Sequence, residues 1–292
     1  MNKAFARGLI LGSAVGVIAA AISIPIASSA TDPAPPAAAA APAPSLTVPL
    51  AQSFVLGGQI SASEGPGGDE YTQSIPMRLR WASTGAPDRF FDIAAFHTGP
   101  CEPASFETRI DADTQTPRTD VTVNDDHGTA ACPEKDGFTV IATNPDGNLI
   151  GKQVLKQYPT VYQEEGQIPA GATARPLTVN YSGAWPLTFC DCASGGAQRR
   201  TTQTGAAAAI TRTFARGEHV AVVMAEGPGR GKAAIFVDGT LMETVDTLAA
   251  ANTNRIIEWD MAMSKGTHTI RVVNQGTAGR TRIDLDAILT TS

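Results

Sequence analysis

From residue 50 onward the chain alternates apolar and polar residues in short runs that break on Gly, Pro, Asn or Asp. Period-two alternation sends successive side chains to opposite faces of a strand, whereas an amphipathic helix needs apolar residues at i, i+3, i+4 and i+7. Almost nothing here sustains the helical pattern. Met77, Leu79 and Trp81 alternate with Arg78 and Arg80. Val121 and Val123 lie in "RTDVTVND", and Phe138, Val140 and Ala142 in "DGFTVIATNPDGN". Turn residues are plentiful, with 28 Gly and 20 Pro, and only 17% of residues are charged. The pattern predicts an all-β chain of two tandem β-sandwich domains.

The N-terminus sets the expected compartment. Lys3 and Arg7 precede an apolar run from Leu9 to Ala27, and Ser28-Ser29-Ala30 supplies small residues for a signal peptidase, so residues 1–30 read as a signal peptide. The run is long enough to remain as an uncleaved anchor, but Pro25 and the small-residue exit point to cleavage. Residues 31–49 are nearly all Ala and Pro, a composition that behaves as an extended spacer. The expected product is secreted, free or held to the cell wall by binding, with no membrane association after cleavage.

Residues 50–162 and 177–292 form the two expected domains, joined by a linker at 163–176, "QEEGQIPAGATARP". Over residues 46–176, Lys and Arg number 9 against 17 Asp and Glu, a net of −8; over 177–292 they number 11 against 10, a net of +1. An acidic first domain and a nearly neutral second give no electrostatic footprint for nucleic acid.

"EGPGRGKAAIFVDGT", residues 226–240, has the look of a phosphate loop. A P-loop needs Gly, four residues, then Gly-Lys and a hydroxyl at the start of a helix. Here Glu226 stands where the first glycine belongs and Ala233 where the hydroxyl belongs, and the residues that follow favour a strand. The stretch therefore reads as a turn before a strand, with Asp238-Gly239 as a type I′ hairpin turn.

The four cysteines support export. Cys101 and Cys132 both fall in the first domain and are spaced for a loop-closing disulfide, worth roughly 3–4 kcal/mol. Cys190 and Cys192, in "FCDCASGG", suit a local disulfide; free thiols or a soft metal are the alternatives, and no second Cys or His pair completes a four-ligand set.

Two resemblances follow from these residues. Trp81 early and "FTVIATNPDGN" late resemble a fibronectin type III or immunoglobulin-like sandwich over residues 50–162, which implies a scaffold. "VAVVMAEGPGRGKAAIFVDGTLMETVDT" followed by "GTHTIRVVNQGTAGRTRIDLDAIL" resembles the C-terminal module of many exported actinobacterial proteins. That module is similar to the galactose-binding-like jelly roll common among carbohydrate-binding domains, and the resemblance implies a glycan ligand.

A pyranose needs an aromatic platform with polar groups beside it. Trp259 alternates with Ile257 and Met261 and reads as core. Trp185, between a Gly-containing turn and Pro186, is the candidate platform, with Asp191, Gln198 and Arg199 as candidate partners for sugar hydroxyls. Modules of this kind often carry Trp-Val/Ile-Gly-Pro before the Gly-rich turn, where this chain has Met224-Ala225-Glu226. In related sandwiches a final-strand Asp ligates a structural Ca²⁺, so Asp284 and Asp286 are candidate ligands; ion pairing with Arg280 or Arg282 is the plainer reading. No other cofactor is expected.

No G-x-S-x-G elbow, H-E-x-x-H or metal-ligand cluster appears, and His97, His127, His219 and His268 are scattered. His268 shares a face with Ile270 and Val272 and reads as structural. The expectation is a non-catalytic exported protein that binds a glycan through its second domain. The alternative is a structural or adhesive envelope protein whose partner is another protein.

Overall fold

The computed structural model describes residues 45–46, 51–64, 71–81, 83–84, 90–98, 106–114, 118–124, 128–129, 132–133, 135–155, 159–163 and 178–291. The expected signal segment, the spacer apart from residues 45–46, Cys101, His127 and residues 164–177 lie outside them, and with Cys101 the expected Cys101–Cys132 bridge. Among the described residues every regular element is a strand except one 3-10 turn at Ser194–Gly196. The protein is all-β, with sheets paired as sandwiches.

The first half supplies β1 (Ala51–Phe54), β2 (Ser61–Glu64), β3 (Tyr71–Arg80), β4 (Phe90–Thr98), β5 (Phe106–Thr114), β6 (Arg118–Asn124), β7 (Lys135–Thr143), β8 (Leu149–Leu155) and β9 (Pro159–Gln163). In one sheet β3 carries β6 along one edge and β1, then β2, along the other. A second sheet runs β8-β7-β4-β5. Alternation works as expected: Ile75, Met77, Leu79 and Trp81 are buried, as are Phe138, Val140 and Ala142. Arg78 points the other way and forms an ion pair with Asp120, directly opposite on β6.

The second half supplies β10 (Val179–Ser182), β11 (Leu187–Phe189), β12 (Ala197–Thr201), β13 (Ala207–Phe214), β14 (His219–Glu226), β15 (Lys232–Val237), β16 (Thr240–Asp246), β17 (Thr253–Ala262), β18 (Gly266–Asn274) and β19 (Ile283–Thr291). A five-stranded sheet runs β10-β13-β18-β15-β16. Facing it is a sheet ordered β11-β12-β19-β14-β17, in which β9 of the first half also pairs with β19, beyond β12.

This six-stranded sheet is apolar on both faces. Val220, Val222, Met224, Trp259, Ile283, Leu285 and Ile288 pack in the core shared with the five-stranded sheet. Ala221, Val223, Ile257, Ala287 and Leu289 join the first-half core of Phe54, Ile60, Met77, Trp81, Phe91 and Phe138. The turn at 57–60 covers the outer edge of β17: Gly57 N–H donates to Ile257 O, Ile257 N–H to Gly58 O and Ile60 N–H to Arg255 O.

Three irregularities interrupt the ladders around β14. The register jumps leave Glu258 extra on β17 and Asp286 extra on β19, on either side of Val223. Near the end of β14 a third jump accompanies Arg255, which adopts φ +63°. An extra residue of this kind bends a strand and redirects its side chain.

Candidate functional site

The residues singled out as a glycan site lie on and around one edge of the second sandwich. β11 is the edge strand of the six-stranded sheet, and the chain turns back into β12 through residues 190–196. Cys190 and Cys192 are joined by a disulfide, with their Cα atoms 5.0 Å apart. Inside the loop, Ala193 N–H donates to Cys190 O and Cys190 N–H to Gly196 O, both at 2.9 Å. Two side chains from the sheet hold it from outside. Asp286 accepts from Ser194 N–H at 2.8 Å and from Ser194 Oγ at 3.3 Å, and Arg255 Nη2 donates to Asp191 O at 2.5 Å. The loop is short, cross-linked and anchored to two strands.

Trp185 is not at this surface. Its indole is 5% exposed and belongs to the core between the two sheets, tilted against Tyr181 with ring centroids 5.6 Å apart. It shows no face to a sugar, and this corrects its assignment as the platform. Arg199 also points inward, donating to Trp185 O at 2.8 Å and lying 4.8 Å over the Tyr181 ring. Gln198 is 3% exposed. Of the four expected contact residues only Asp191 is exposed.

The aromatic that does face solvent is Phe189, 70% exposed at the end of β11. It sits one residue before the disulfide and two before Asp191. Sequence reasoning passed over it because alternation cannot say which of two aromatics near a sheet edge turns inward. Its position beside the C-x-C ring was the available signal.

The glycine-rich stretch is a turn before a strand. Arg230 N–H closes a β-turn onto Gly227 O at 3.1 Å, and β15 begins at Lys232 with no helix after it. A Cβ on Gly231 would lie 2.0 Å from Arg280 O, so only glycine fits that close backbone approach. The turn sends Arg230 inward rather than out to an anion. Its Nε lies 2.5 Å from Asp284 Oδ2, and its Nη1 donates to Glu226 O at 2.7 Å and Asn252 Oδ1 at 2.5 Å. Asp238 and Gly239 both have positive φ, +50° and +80°, with Val237 opposite Thr240, the geometry of a type I′ turn.

The final-strand aspartates do not fit a calcium ion. Both oxygens of Asp284 are engaged by guanidinium groups, Oδ2 by Arg230 and Oδ1 by Arg282 Nε at 2.8 Å. Asp286 spends its oxygens on Ser194. Calcium wants six to eight oxygens, whereas the Asp284 carboxylate has two arginines against it. Among the described residues no group of three or more His, Cys, Asp or Glu side chains is placed to hold a metal. Arg280, the other expected partner, pairs instead with Asp246 at 2.8 Å.

Burial pushes the Asp286 carboxyl up to about 7, against the opposing pull of Ser194 and Arg255. Glu258 is likewise pushed up to about 7, first by burial and then by Glu226, with smaller contributions from Asp246 and Glu243. His219 and His268 both have polar partners. His219 Nδ1 lies 2.9 Å from Asp260 Oδ1, and the His268 ring packs near Phe214 with its nitrogens bonded to neighbouring turns.

No family model matches the chain, and no curated protein matches it. Three solved structures to which the chain is similar are the following. The CBM36-1 domain of a multidomain xylanase from the hindgut metagenome of Trinervitermes trinervoides is 16% identical, covering 46% of this chain and 96% of that one, at a TM-score of 0.32. A family 35 carbohydrate-binding module from Clostridium thermocellum is 13% identical, covering 46% and 97%, at 0.31. An exo-β-1,3-galactanase from Phanerochaete chrysosporium, with β-1,3-galactotriose, is 13% identical, covering 80% and 68%, at 0.34. At these identities and scores they assign the chain to no family.

Proposed function

We propose that this is an exported glycan-binding protein whose second sandwich takes its ligand at the rim formed by β11 and the disulfide-closed loop 190–196. The observation that carries the reading is Phe189, a 70%-exposed aromatic on an edge fixed by a disulfide, two side-chain anchors and sheet hydrogen bonds. A rigid aromatic face suits the apolar C–H face of a pyranose, and it is ordered before the ligand arrives, which lowers the entropic cost of binding. Asp191, exposed and two residues away, accepts hydrogen bonds from the sugar's hydroxyl rim. The resemblance of residues 177–290 to galactose-binding-like modules supports the same ligand class. The acidic first half serves as the scaffold that buttresses the other face of the six-stranded sheet.

One stacked ring with a few hydrogen bonds gives weak binding, on the order of 10–1000 μM, or about 4–7 kcal/mol. The test is retention of the protein on cell-wall and polysaccharide fractions, comparing wild type with Phe189→Ala. Binding should fall at least tenfold with no change in melting temperature, because an exposed ring contributes little to the core. Undiminished retention of Phe189→Ala places the site elsewhere. A wild type that no polysaccharide retains rejects the reading altogether.

A further inference from the structure

Away from that rim, the sandwich brings together three residues from two neighbouring turns. Asp238 lies in the β15–β16 hairpin turn, Ser264 in the turn between β17 and β18, and His268 on β18. His268 Nδ1 is 2.6 Å from Asp238 Oδ2, and His268 Nε2 is 3.0 Å from Ser264 Oγ. The second oxygen of Asp238 accepts from Thr269 N–H at 2.8 Å, which fixes the carboxylate against the same strand that carries the histidine. A serine hydroxyl on one ring nitrogen and an oriented carboxylate on the other is the arrangement by which a hydroxyl is made nucleophilic, and it is recognised by geometry rather than by order in the chain.

The surroundings suit the same roles. The carboxyl of Asp238 is held below the usual carboxylate range, chiefly by its hydrogen bond with His268 and then by the Thr269 amide, so it stays ionised as an acceptor. An ionised acceptor at Nδ1 keeps the ring proton there and leaves the Nε2 lone pair for the Ser264 hydroxyl. The His268 side chain is only 16% exposed and its ring lies 6.2 Å from Phe214, whereas Ser264 is exposed. The base is shielded and the nucleophile is accessible. Ser264 O, 3.2 Å from the same Nε2, is placed to accept a hydrogen bond from that nitrogen once the ring is charged.

We propose that Ser264, His268 and Asp238 form an acyl-transfer triad acting on small, accessible acyl esters. Ser264 Oγ attacks the ester carbonyl carbon while its proton passes to His268 Nε2. The carbon–oxygen bond to the alcohol breaks, and the departing alkoxide takes that proton. Water then attacks the acyl-Ser264, giving a proton to His268 Nε2; Ser264 Oγ leaves and recovers it, and the carboxylic acid is released. Asp238 touches no substrate and acts as a positioning residue through the imidazole.

The experiment uses the full-length protein with two probes, a fluorophosphonate for the nucleophile and p-nitrophenyl acetate for turnover. Expected are a single phosphonylated residue, Ser264, by peptide mapping, and p-nitrophenol release in molar excess of protein. Ser264→Ala abolishes both, and because it lies in an exposed turn it leaves the fold intact. His268→Gln and Asp238→Asn each slow labelling by at least roughly a hundredfold; asparagine tolerates the positive φ at 238. His219→Gln, an imidazole paired with Asp260 elsewhere, should change neither readout. Labelling that is absent, that falls on another residue, or that persists in folded His268→Gln overturns the proposal. Turnover equal in wild type and Ser264→Ala overturns it as well.

Discussion

Arg230 shows how one side chain decides what a conspicuous stretch of sequence does. Its guanidinium is 6% exposed and bonded to a carboxylate with no exposure at all. Removing one partner of a buried ion pair costs roughly 3–5 kcal/mol, because the remaining charge stays desolvated. Arg230→Met should therefore lower the urea-unfolding free energy by about that much, and Arg282→Met, at a side chain 34% exposed, by clearly less. Equal losses would mean that Arg282 holds Asp284 as firmly as Arg230 does. The sequence allowed an Asp284–Arg282 pair to be foreseen, since residues two apart on a strand share a face. Arg230 could not be foreseen: its inward course depends on a backbone approach at Gly231 that no spacing rule records. Phe189 and Trp185 teach the same lesson, because side-chain direction near a sheet edge is settled by where the partner sheet ends.

At the scale of elements, the register jumps beside β14 place two acids where water is scarce. Asp286 binds protons more tightly in the folded protein than in the unfolded chain, its carboxyl having moved from 3.8 to about 7. Between those values the folded state carries more protons than the unfolded, so stability falls as pH rises. The full penalty is present above about pH 7 and vanishes below about pH 4. Asp286→Asn should match wild type near pH 4 and exceed it near pH 8 by on the order of 4 kcal/mol. Chemical denaturation across that range checks it, and parallel curves for the two proteins would show that Asp286 does not titrate there. Glu258 carries the same sign in the same window, with a smaller effect because it is partly solvated. The strands themselves were legible from period-two alternation in Met77, Leu79 and Trp81 and in Phe138, Val140 and Ala142. The irregularities were not, since an inserted residue leaves no mark until two strands are aligned.

Across the whole molecule the six-stranded sheet serves two cores. Val223, Ile257 and Leu289 are fully buried against the first half. Burying each such side chain contributes about 1.5–3 kcal/mol. Residues 178–292 produced alone would expose that face, lose the pairing of β9 with β19 and uncover the β17 edge that the turn at 57–60 covers. The fragment should melt well below the full chain, or aggregate, in differential scanning calorimetry; an unchanged melting temperature would show the two halves to be energetically independent. Composition and linker chemistry suggested where the chain divides. They carried no sign that β9 reaches across to a strand more than a hundred residues later.

That reach has a consequence in time. β19 holds β9, β12 and β14 together, yet it is made after every one of them. Until residues 283–291 emerge, no part of the six-stranded sheet has its middle, and three strands wait with unpaired edges. Closing a sheet over such separations is slow. A growing chain therefore stays threadable until β19 is delivered, and locks only then.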